Sequence, residues 1–290
     1  MVQSPSSLQV RDYVGGAIAM SEDSRPLGGL PPADRTLLIT PPLDLAIAEV
    51  RFSASSPSLP VDAGLQLFER LNARGFELAK AEPTRQQRIQ INVQAGTAPT
   101  HVADSGEQGW LLPSADGTYL VTLMPGAFVF QASKYHRWSV TMRPRLEVLV
   151  ETVREMLEPA FVTRSGLRYV DRFVDRAADG PLFWKSRIAD SFTGPEHDLV
   201  LGPLLRGSQQ QIELDLGESK GALLRHGPFT DPGAGGATSY VLDIDVFDNA
   251  PQRFESVPLV DGIEVLNRTA ASLFQLSLKR EYLETLQEAK

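Results

Sequence analysis

The chain has 290 residues, 42% of them hydrophobic and 22% charged, which is enough to bury a sizeable core in one or two domains. It holds no cysteine, so disulfide frameworks, thiolate nucleophiles and Cys-ligated metal centres are excluded. A formal net charge of -8 disfavours broad attraction to phosphate backbones or anionic lipid, and nucleic-acid binding becomes the minor reading.

In chain order, residues 1 to 36 are rich in Ser, Gly and Pro without a sustained period, as in RPLGGLPPADR, and predict a flexible N-terminal arm. No apolar run reaches the roughly 20 residues of a membrane span, and the start lacks the pattern of a secretory signal, so a cytoplasmic location is expected. Leu45 to Phe52 reads as a strand. Asp62 then caps a helix carrying Leu65, Phe68 and Leu71, which stops near Gly75. Four antiparallel strands follow, marked by Ile89, Ile91 and Val93, by Trp110 and Leu112, by Tyr119, Val121 and Leu123, and by Phe128 and Phe130. Asp116-Gly117 and Pro125-Gly126 supply the hairpin turns. A long helix comes next, with Leu146, Leu149, Val150, Val153 and Leu157 in one stripe and Pro144 in its first turn.

A second pass through the same order begins with the strand 165 to 174. A shorter helix around Phe183 to Phe192 and strands near 209 to 216, 221 to 226 and 239 to 247 complete it, together with a helix opened by the capping-box pair Asp261 and Glu264. Ser277 is a candidate cap for a last segment with Leu278, Tyr282 and Leu286 at helical spacing. The expected fold is therefore α+β: a tandem pseudo-repeat of two β-α-β-β-β-(β)-α modules, 37–161 and 162–290, forming one domain with a curved antiparallel sheet and helices on one face. The halves share pattern rather than sequence identity.

Several pieces together resemble a known family. PPLDLAIAEVRF at the start, Tyr135 and Trp138 of KYHRW, the long helix after them and the GLRYVDR run are similar in order and spacing to the sporadically distributed prokaryotic protein family, a group with no assigned function. The resemblance covers Pro41 to Leu278. Asp171 stands where such proteins commonly carry an amide. The family implies an architecture and no activity.

Catalytic signatures are sparse. His101, His136, His197 and His226 lie in separate segments without ligand spacing and read as surface or loop histidines. Neither a nucleophile elbow nor a phosphate loop is present, and DPGAGGATSY reads as a hairpin tip. Glu213 and Asp215 share one strand face, as do Asp243 and Asp245; solvated pairing around Arg225 is favoured over a divalent cation, and no cofactor is expected. The richest stretch is SGLRYVDRFVDR. Its Arg168, Tyr169, Asp171 and Arg172, with Tyr135, His136, Arg137 and Trp138, form the candidate binding group, either buttressing the join between modules or offering guanidinium forks to an acidic ligand. The leading expectation is a non-enzymatic binding protein that works with a protein partner or by self-association. A small-ligand or metal-assisted enzyme on the acidic strand face stays open, as does nucleic-acid binding across a saddle-like sheet.

Overall fold

A computed structural model describes residues 25–54, 56, 58–87 and 104–287, except for the side chains of 85–87, 104–108 and 197. Among these, ten strands form one antiparallel sheet. β1 spans Leu43–Phe52, β2 Glu82–Gln87, β3 Asp104–Pro113, β4 Tyr119–Met124, β5 Ala127–Ala132, β6 Phe161–Phe173, β7 Gln210–Gly217, β8 Lys220–Thr230, β9 Thr238–Asp248 and β10 Gln252–Arg253. The order across the sheet is β2-β3-β4-β5-β1-β6-β9-β8-β7, with β10 on the end of β6. The hairpins follow their turn chemistry: Gly117 and Gly126 take the positive φ values (70° and 71°) that a side chain would oppose.

Alternation along each strand separates two faces. Ala46, Ala48 and Val50 of β1 share a face with Phe130 and Phe128 of β5 and with Leu167 and Tyr169 of β6, and all are buried. Helices α1 (Ala63–Ala73), α2 (Arg143–Leu157) and α3 (Ser256–Leu276) cover this face, and the short α4 (Arg280–Leu286) packs at its far end. α2 presents the expected stripe, with Leu146, Leu149, Val150 and Val153 buried, and Pro144 sits in its first turn, where no N–H is needed. Side chains join neighbouring helices. Arg74 of the α1 C-terminus donates to Thr152 and Glu155 of α2, and Arg143 of α2 binds Asp261 at 2.7 Å and also Glu264, both on α3.

Several expectations are corrected. In α1 it is Gly64, Leu67 and Leu71 that face inward, because the helix backbone lies on the Trp110 ring at Gly64, where a Cβ would come within 1.9 Å; Leu65 turns out to solvent. The strand expected from Ile89 to Val93 lies outside the described residues. In place of a helix around Phe183 to Phe192 the chain makes two short 3-10 turns, Pro181–Ser186 and Asp190–Phe192. Asp261 and Glu264 are not a capping box. α3 starts five residues earlier, at Ser256, since Pro258 is tolerated in the first turn and Leu259, Val260 and Ile263 already belong to the buried stripe. Ser277 ends α3, its Oγ donating to Leu273 O, and does not cap the last helix.

Of the arm expected over residues 1 to 36, residues 1–24 lie outside the described residues, and the rest is held against the domain. Leu27 N donates to Thr269 Oγ1, Ser272 Oγ to Pro31 O, and Asp34 N to Gln275 Oε1, so this segment is strapped along α3. Its Gly28 (φ 65°) lies against Leu216 of β7.

Candidate functional site

The eight candidate binding residues divide between the two faces of β6. Tyr169 and Asp171 point to the helices, whereas Arg168 and Arg172 point to the other face, as a period of two requires. They therefore form no common site. The Tyr135 hydroxyl lies 3.3 Å from that of Tyr169, which donates to Asn267 Oδ1 of α3 at 2.7 Å. Trp138 is buried in the core just ahead of α2, with its indole N–H unpartnered among the described residues. His136 and Arg137 are exposed, and their backbones frame the π-turn Trp138–Met142.

Among the described residues no helix covers the opposite face, and an ordered charge network crosses it. Arg168 Nε and Nη2 each donate to Asp243 at 2.6 Å, a bidentate pair whose carboxylate is fully buried. Arg225 approaches the same carboxylate at 3.5 Å. Arg164 bridges Glu49 (3.4 Å) and Asp245 (3.3 Å). Arg172 Nε donates to Asp231 at 2.7 Å, and Asp231 also accepts from Gly233 N, which pins the DPGAGG hairpin tip to β6. The four arginines are thus engaged within the molecule. Burial raises the pKa of Asp245, against the pull of Arg164 and Arg168.

The weak metal candidates do not converge. Glu213 and Asp215 lie on β7, with β8 between them and Asp243 and Asp245 on β9. No group of three or more His, Asp or Glu positioned for a metal occurs among the described residues.

Two buried polar features escaped the sequence reading. Asp171 is 4% exposed and accepts no hydrogen bond among the described residues; burial, and then the charges of Asp44 and Asp243, push its pKa well up. His226 is buried in β8 and is no loop histidine. Its Nδ1 lies 2.8 Å from Tyr240 Oη, and burial lowers its pKa to about 4. The signal was available, because Ala222, Leu224 and His226 alternate onto one face. His101 and the side chain of His197 lie outside the described residues.

Among the described residues a cluster of exposed apolar side chains lies in the loop before β7. Leu199, Val200, Leu201 and Leu204 are 90%, 73%, 54% and 73% exposed. They are held in a defined turn: Asp198 Oδ1 accepts from Val200 N and Leu201 N at 2.8 and 2.7 Å, and Leu204 N donates to Leu201 O. Behind the turn, the buried Glu196 accepts from Gly194 N and from Ser208 Oγ, tying the two ends of the loop together. The run LVLGPLL lies between the segment around Phe183 to Phe192 and the strand near 209 to 216, and belongs to none of the elements expected from the sequence.

Fold and surface together define an α+β protein with a one-sided antiparallel sheet, a self-satisfied charged face and an apolar loop tip. No family model matches the chain, and no curated protein matches it in sequence. No helix among the described residues is long and apolar enough to cross a membrane.

Proposed function

We propose that this is a non-enzymatic, cytosolic interaction protein that docks a protein partner through the tip Leu199–Leu204. The observation that carries the reading is the tip itself: four large aliphatic side chains on one turn, held out by Asp198 and backed by Glu196, make a fixed apolar surface left exposed by the described residues, of the kind that marks an interaction site. Supporting it, the arginines and aspartates of the sheet face are satisfied by one another, and the acids at 213, 215, 243 and 245 do not gather as a catalytic or metal cluster would. The partner is either another chain or a second copy of this one.

The reading includes a tandem pair of modules within the sporadically distributed prokaryotic family. Its support is the motif order from Pro41 to Leu278 and the strand order, in which β5 lies beside β1 and β9 beside β6 at matching places in the two halves.

The test is a Leu199→Ser, Val200→Ser, Leu204→Ser variant, whose changes touch no core position. Light scattering on the purified protein and reciprocal co-purification from the native host should show loss of an assembly that the wild type forms. An unchanged mass and an unchanged set of co-purifying chains would dispose of the proposal.

A further inference from the structure

The two edges of the sheet are built differently. β2, at one end, carries Pro83 and a register break between Arg85 and Gln87, devices that blunt an edge. β7, at the other, is eight residues long, contains no proline and keeps its register from Gln210 to Asp215; its one break comes at its end, between Asp215 and Gly217, where Gly28 of the strap lies against Leu216. It begins six residues after Leu204, the last residue of the apolar tip. Its inner-face side chains Ile212, Leu214 and Leu216 are only half-buried, in strict alternation with exposed Gln211, Glu213 and Asp215. Neither Glu213 nor Asp215 makes an ion pair among the described residues, in contrast to Asp243 and Asp245 two strands away.

We propose that β7 receives an extended segment of the protein partner as an added antiparallel or parallel strand, and that this segment alternates aliphatic with basic residues. This rests on the interaction reading above. Backbone pairing to an open edge supplies affinity for any extended peptide, and the alternate side chains select among them. On β7 the selection has a sign. A basic side chain beside Glu213 or Asp215 meets a carboxylate without an ion pair among the described residues across a strand spacing of about 5 Å, and an aliphatic one continues the row of Ile212 and Leu214, Leu216 being already against Gly28 of the strap. A second copy of β7 would bring two pairs of carboxylates together, so the charge pattern works against self-pairing at this edge. The neighbouring tip gives the same partner an apolar anchor at one end of the added strand.

The test uses the full chain and three labelled eight-residue peptides, read by fluorescence anisotropy at low and high salt. The first alternates Lys with Val and Ile, the second replaces every Lys with Glu, and the third is the lysine peptide with alternate backbone nitrogens methylated. The lysine peptide should bind at least tenfold tighter than the other two, and the preference for Lys over Glu should invert in a Glu213→Lys, Asp215→Lys protein of unchanged melting temperature. Equal binding of lysine and glutamate peptides, full binding of the methylated peptide, or no binding at millimolar concentration would overturn the proposal. So would a peptide-free dimer that the charge reversal strengthens or breaks, since that assigns the edge to a second copy. Peptide binding with an inert tip variant would remove the tip reading and keep the edge; a functional tip with no peptide binding would do the reverse.

Discussion

Asp171 sits at a core-facing position of β6 with no donor to accept from among the described residues, between the charges of Asp44 and Asp243, and its raised pKa keeps it a neutral acid over a wider range than usual. A neutral carboxyl has nearly the shape of an amide. Because the folded value lies above the ordinary 3.8, the contribution of Asp171 to stability is whole below that pH and is lost as pH rises through the folded value. Asp171→Asn should therefore raise the melting temperature at pH 8, with the gap closing towards pH 4; a constant gap would refute this. His226 has the opposite sign. Its folded value of about 4 lies below the free value of 6.5, so its contribution is present above pH 6.5 and is lost as pH falls through 4, roughly 3 kcal/mol in all. Urea titrations of the wild type and of His226→Gln should differ in slope only across that window. Arg168→Ala leaves the buried Asp243 with only the longer contact to Arg225 and should cost about 3–5 kcal/mol by denaturant melt. Arg168→Lys should restore part of it, because one ammonium cannot reproduce the fork.

At the scale of elements, the sequence was most legible where the signal was local. The meander of β3, β4 and β5 carries its turns at Gly117 and Gly126, and α2 carries its whole stripe within 15 residues. It was least legible where a neighbour decided the outcome. Leu65 lost its inward place to Gly64 because Trp110 arrives from another strand, and Asp261 and Glu264 were claimed by Arg143 of α2 instead of by their own helix end. The candidate binding group is divided between two faces for a simpler reason. Alternation along β6 already separated Tyr169 and Asp171 from Arg168 and Arg172, and that parity outweighs nearness in sequence. Two element-scale outcomes can be measured. Trp138→Ala removes a buried indole from the core ahead of α2 and should destabilise by about 3–5 kcal/mol. Glu158 closes α2 in the left-handed region (φ 45°, ψ 48°), so Glu158→Gly should stabilise by about 1 kcal/mol. A thermal melt that moved the other way would show that the Glu158 side chain matters more than its backbone.

At the scale of the whole molecule, the described segments before β1 and after α3 are both held against the core. The strap of residues 27 to 34 runs along α3, and the C-terminal stripe expected to seek a partner is used at home: Leu278 and Leu286 are buried, and the Tyr282 ring meets Phe173 at 6.0 Å. Self-association is therefore not called for by α4. The two halves meet along the β1–β6 pair at the middle of the sheet, where Leu43 to Phe52 lies against Val162 to Asp171. This seam bears on synthesis. β1 leaves the ribosome more than a hundred residues before β6, and until β6 arrives one side of β1 is a ten-residue edge with Leu45 and Ile47 on one face and Ala46, Ala48 and Val50 on the other. A nascent chain halted just before β6 should then be a chaperone client, and a fragment ending at residue 160 should aggregate on release unless the fragment from 161 onward is supplied in trans to complete the pair.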